Sequence, residues 1–167
     1  MKGKSPPILN IGDAPLEEWR HGEQFEARMA QIGRLLGAGR LGCRLVVRPP
    51  GKAAWPFHAH HVNEELFFIL EGAGLLRLGA ERHPLRVGDV VVIPPGPETP
   101  HQIRNDGRDV LKYLCISTME QPEIVEMPDS GKVGIMAGSP PGGDRSRRTL
   151  NLYLQMDSKL DYWQGEQ

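Results

Sequence analysis

The sequence predicts an all-β fold, a double-stranded β-helix or small jelly roll, and three observations predict it. Fifteen prolines and twenty glycines among 167 residues are too many for long helices but suit short strands joined by tight turns. Glycines that open turns recur at Gly51, Gly72, Gly79, Gly88, Gly96 and Gly107, the rhythm of a sandwich or barrel. Between them stand short apolar runs such as Leu66-Phe67-Phe68-Ile69-Leu70 and Val90-Val91-Val92-Ile93, rich in the aromatic and β-branched residues that strands favour. Strands are read at 41–48, 55–60, 65–70, 74–78, 81–85, 89–93, 101–105 and 110–118. Two sets of four are what a small jelly roll requires.

Taken in order, residues 1–39 read as an N-terminal extension. A polar lead-in is followed by Asp13-Ala14-Pro15 as a cap for a single helical turn at 16–20. Beyond it Phe25, Ala27 and Met29 alternate as in a strand, whereas Ile32, Leu35 and Leu36 have helical spacing, so strand is expected only in the first half of 21–39. The barrel is expected over 40–118. Pro56 keeps 55–60 extended, since it fixes its own φ and restricts Trp55 before it. Pro94-Pro95-Gly96-Pro97 ends the strand at 89–93, and Asn105-Asp106-Gly107 closes the one at 101–105.

Residues 119–167 read as a C-terminal extension. Met127-Pro128-Asp129-Ser130-Gly131-Lys132 has the ending of a phosphate loop but lacks its first glycine and any strand–loop–helix context, so it is set aside. A flexible, basic linker is expected at 138–148. Leu150, Leu152, Leu154 and Met156 then alternate with Asn151, Tyr153 and Gln155, which suggests an edge strand, and Asp161-Tyr162-Trp163 is aromatic enough to pack. A homodimer is expected, because open sheets gain by covering their edges.

Twenty basic against 21 acidic side chains, net charge −1, argue against a nucleic-acid partner. Glycines at 22, 33, 37 and 39 break up the segment where a DNA-reading helix pair would lie. No apolar run is long enough for a transmembrane helix, and the basic start, with Lys2 and Lys4, is not followed by the apolar stretch of a signal peptide. No membrane association and a cytoplasmic location are therefore expected. Cys43 and Cys115 are too far apart for a metal or redox motif and read as reduced core thiols.

His58, His60, Glu65 and His101 carry the chemistry. Two residues apart on a strand, His58 and His60 point to one face, and the short polar turn His61-Val62-Asn63-Glu64 brings Glu65 beside them. His101 follows the proline-rich turn and begins a facing strand. His61 could replace His60 only by a one-residue slip that turns it away from His58. Glu64 competes with Glu65, but Gly72 and the apolar alternation behind Glu65 favour the latter. Three imidazoles and a carboxylate suit a divalent ion of iron, manganese, nickel, zinc or copper, and four ligands on an ion that prefers six leave two open positions for a chelating small molecule.

The blocks Gly51-(x6)-His58-Ala59-His60-(x4)-Glu65-(x6)-Gly72 and Gly88-(x5)-Pro94-Pro95-Gly96-(x4)-His101-(x3)-Asn105 resemble the two conserved blocks of the cupin superfamily. They depart from the usual gaps by one residue before His58 and by two before His101, both within loops. The resemblance covers the central half of the chain. It implies the jelly-roll fold and a metal held by His58, His60, Glu65 and His101. It leaves activity open, since cupins include dioxygenases, isomerases, epimerases, decarboxylases and non-catalytic binders. The expectation is a metal-dependent enzyme, dioxygenase or isomerase/lyase, acting on a small polar molecule; the alternative is a binding or sensing module with a structural metal. Glu64 and Tyr113 are the acid/base candidates.

Overall fold

The computed structural model describes residues 7–166; Lys2 and Lys4 of the basic start lie outside them. After β1 (Glu17–His21) and β2 (Phe25–Ala30) come a one-turn helix α1 (Ile32–Leu35) and β3 (Leu41–Arg48). Then follow β4 (Ala59–His60), β5 (Glu65–Glu71), β6 (Ala73–Leu78), β7 (Glu81–Arg86), β8 (Val90–Ile93), β9 (His101–Arg104) and β10 (Leu111–Thr118). The C-terminal part adds β11 (Glu123–Met127), β12 (Lys132–Ala137) and β13 (Leu150–Gln155).

These strands form two walls. One is a six-stranded sheet in the order β1-β2-β3-β10-β5-β8. The other consists of β7-β6-β9 and β13-β12-β11-β4, joined where His58 and His101 form an antiparallel bridge. The all-β jelly roll expected from the sequence is therefore present, and no helix among the described residues is long and apolar enough to cross a membrane.

Strand alternation sorts the apolar residues into two cores. Val46, Phe67, Ile69, Leu76, Leu111 and Tyr113 are buried between the walls. Ala30, Ile32, Leu45 and Val47 are buried on the outer face of the six-stranded sheet, where Leu9, Ile11, Leu16 and Leu36 pack on them. The N-terminal segment thus covers a sheet face that would otherwise expose β3.

The helical turn expected at 16–20 is strand β1. Pairing in register with β2, Glu17 opposite Met29 through His21 opposite Phe25, satisfies its backbone better than one isolated turn would. The strand expected at 55–60 shrinks to Ala59–His60, because Pro56 has no N–H to donate to a ladder. Residues 119–137 form the hairpin β11–β12, and the segment resembling a phosphate-loop ending is its turn, with Gly131 at φ 60°. The 138–148 segment is pinned: Arg148 donates to the carbonyls of Ser139 and Pro140, each at 3.1 Å. Tyr162 and Trp163 do not pack on the barrel; they contact each other at a ring separation of 4.8 Å and remain 84 % and 71 % exposed.

Candidate metal centre

The bridge between the walls builds the site. His58 N donates to the His101 carbonyl at 3.1 Å and His101 N to the His58 carbonyl at 2.8 Å, which sets the two imidazoles 4.7 Å apart between ring centroids. His60 follows in β4 with its ring 4.9 Å from that of His58, as the two-residue spacing requires. Glu65, first residue of β5, reaches in from the opposite wall. Donor atoms of His58, His60 and Glu65 lie within 4.8 Å of one another. His101 Nε2 stands 2.8 Å and His60 Nε2 3.7 Å from the same oxygen, Glu65 Oε2.

Each imidazole is held from behind through Nδ1. His58 Nδ1 meets the Pro56 carbonyl at 2.8 Å, His101 Nδ1 the Thr99 carbonyl at 3.1 Å, and His60 Nδ1 the Glu123 carboxylate at 3.2 Å. Carbonyl oxygens only accept, so His58 and His101 carry their proton on Nδ1 and, when neutral, direct a lone pair inward from Nε2. A neutral His101 therefore puts an acceptor 2.8 Å from an acceptor carboxylate. Two acceptors at that distance need a proton or a cation between them, and the donor set suits the cation.

The electrostatics agree. Burial, reinforced by the neighbouring His101 and His60, pushes the His58 pKa down to about 3, so this ring stays neutral. Burial opposes ionisation of Glu65, but a proton shared from His101 and the positive charge that protonated neighbouring imidazoles bring outweigh it and hold its carboxyl well below the usual range. Burial also opposes protonation of His60; the Glu123 hydrogen bond and the two nearby carboxylates raise its pKa nonetheless. Neutral imidazole and ionised carboxylate are the forms that ligate a metal; His58 and Glu65 are held in them, whereas His60, with its raised pKa, must give up its proton for a cation to bind.

Glu123 was not singled out in the sequence. It is fully buried and accepts from the backbone of Val62, Asn63 and Ile124 at 3.1, 3.3 and 3.1 Å, and from the Asn63 amide. The one available signal was an acid at the inward position of the alternation Glu123, Val125, Met127. His61 points away, its Nε2 2.7 Å from Glu126. Glu64 is exposed. Tyr113 is buried behind Phe67, at 6.0 Å between rings, and its hydroxyl is bound by Arg48. Neither acid/base candidate touches the donor cluster. Asn105 closes its turn as expected, donating to the Arg48 and Asp109 carbonyls at 2.9 Å.

The donors open on a cavity of about 1000 Å³ lined by Trp19, Trp55, Phe67, Tyr113 and the 138–148 segment. Phe67, 5.7 Å from His101, forms an apolar side to the cluster.

Fold and donor set define the class. The Cupin domain family model matches residues 44–117, the stretch that carries all four donor residues. Over 73 residues it is 44 % identical to an uncharacterized protein of Methanocaldococcus jannaschii, covering 41 % of this chain. The chain spans 57 % of the length of that relative. Among solved structures, one from Acidithiobacillus ferrooxidans, provisionally described as a sugar phosphate isomerase, superposes at a TM-score of 0.78 with 24 % identity, over 93 % of this chain and 96 % of the other. A sugar phosphate isomerase of the cupin superfamily from Silicibacter pomeroyi gives 0.74 with 20 % identity, over 91 % and 94 %. These structural likenesses concern the fold.

Proposed function

We propose that His58, His60, Glu65 and His101 hold one divalent metal ion and that the chain is a metal-dependent enzyme of isomerase or lyase type acting on a small polar molecule. The observation that carries this reading is the clustering of the donors on Glu65, with His101 Nε2 at 2.8 Å, His60 Nε2 at 3.7 Å and the His58 donor within 4.8 Å, every Nδ1 being already engaged. A bound ion supplies Lewis acidity to oxygens of a chelating substrate. This chain's own residues do the rest: Glu123 orients His60, the Pro56 and Thr99 carbonyls orient His58 and His101, and Phe67 keeps one side of the cluster dry. The names of the two sugar phosphate isomerases are consistent with the reading. So are the free thiols of Cys43 and Cys115, which suit the reducing cytoplasm expected for this chain.

A second reading, a non-catalytic binding module, is favoured by one observation: Glu64 and Tyr113 do not reach the donors. The test is reconstitution with manganese, iron, nickel, zinc or copper, followed by NMR of a panel of aldose and ketose phosphates. Interconversion by the metal-loaded protein alone supports the enzyme. Ligand binding without turnover across the panel supports the binding module.

A further inference from the structure

The inward face of β3 carries two guanidinium groups that no carboxylate compensates. Gly42, Arg44, Val46 and Arg48 alternate with Cys43, Leu45 and Val47, and the latter three pack on the outer side. Arg20, Arg40, Arg77 and Arg86 each have a carboxylate within 4.0 Å. Among the described residues, Arg44 and Arg48 have none. Arg48 is 1 % exposed; it donates to the Ile103 carbonyl and the Tyr113 hydroxyl, and its buried Nε has no hydrogen-bond partner. A cation enclosed without an anion is costly, and both arginines line the cavity above the donor cluster.

Arg44 is the one placed to meet a ligand. Its cross-strand neighbour on β10 is Cys115, whose Sγ lies 3.7 Å from Glu65 Oε1, and its side chain lines the same cavity as His58, His60, Glu65 and His101. Nε is fixed by Gln31 at 3.0 Å, and the group lies 5.4 Å from the centroid of the Trp55 ring. Neither contact uses an Nη. Gly142, at φ 82°, lets the 138–148 segment pass over it, where any side chain would collide with the guanidinium. Around the same cavity Arg34, Arg145, Arg147 and Arg148 face only Glu17 and Asp144 once Glu65 is assigned to the metal. A cleft of that sign concentrates anions, and a pre-aimed guanidinium fork matches the oxygens of a phosphate.

We propose that Arg44 binds the phosphate of a phosphomonoester substrate whose other end reaches the metal centre. The proposal rests on the function proposed above. A phosphate is chosen over a carboxylate because its second charge answers the excess of arginines lining the cavity besides Arg44.

The test is calorimetric titration of the metal-loaded protein, and of its Arg44→Gln and Arg44→Lys variants, with glucose 6-phosphate, glucuronate and glucose, metal content being measured on each sample. The wild type should bind glucose 6-phosphate about tenfold or more tighter than glucose. Arg44→Gln should lose that preference with metal content unchanged, and Arg44→Lys should keep part of it. Equal binding of glucose overturns the subsite, as does an unchanged preference in Arg44→Gln. Tighter binding of glucuronate overturns the choice of phosphate. Phosphate preference in a protein that takes up no metal leaves the subsite standing and removes the metal reading; bound metal without the preference does the reverse.

Discussion

Each of the three histidines is held at Nδ1, yet only His60 is held by a charge. Glu123→Gln keeps the volume but removes that charge and turns one acceptor into a donor. Metal affinity should fall by about tenfold in competition against a chromophoric chelator; unchanged affinity would show that Glu123 only packs. His58 gives a pH prediction. Its folded pKa of about 3 lies below the unfolded value of about 6.5, so between those values the unfolded chain binds the extra proton and stability falls as pH is lowered. In chelator-treated protein, His58→Gln should therefore lose less stability than wild type between pH 6.5 and pH 4, read from urea midpoints. Parallel losses would contradict the assignment. That His58, His60, Glu65 and His101 lie close together was legible from sequence, because the two-residue spacing and the two short turns bring them side by side. Glu123 and Arg44 were not: their positions depend on β11 pairing with β4 and β10 pairing with β3, which residue spacing does not encode.

The sharpest connection in the fold is Gly72, between β5 and β6, at φ 77°, where an added Cβ would strike the Val110 carbonyl oxygen. Gly72→Ala should cost about 2 kcal/mol in urea unfolding without altering metal stoichiometry, because the turn lies at the end of β5 away from Glu65. The C-terminal strands raise a different question. Tyr153 faces the cavity, while Leu150, Leu152, Leu154 and Met156 lie on the other side of the chain, each 39–44 % exposed. Paired beside them, Val133 and Ile135 of β12 extend the same apolar outer face. We propose that a second copy of the chain covers this face in the homodimer expected from the need of open sheets to cover their edges. Light scattering should give a dimer for the wild type and a monomer for Leu152→Lys/Leu154→Lys; equal masses would contradict that placement. The alternation of β13 could be read from sequence. The β11–β12 hairpin could not, because its strands mix charged and apolar residues and its turn resembles a fragment of another motif.

At the scale of the molecule, the donor cluster links the two walls. Glu65 comes from the six-stranded sheet, whereas His60 and His101 come from β4 and β9 of the other, and His58 bridges those two segments. An ion held there would tie the two walls together, so its binding free energy would add to folding. The jelly roll was legible because turn glycines and strand periodicity are local signals. The course of the N-terminal segment was less so: β1 is a strand only because β2 lies beside it. The most direct test of the account is elemental analysis of protein purified without a polyhistidine tag, beside a His58→Ala/His101→Ala variant prepared in the same way. The account predicts about one divalent transition-metal ion per chain, lost in the variant, with a melting temperature that falls on chelation of the wild type but not of the variant. No metal in either protein, even after reconstitution, would contradict it.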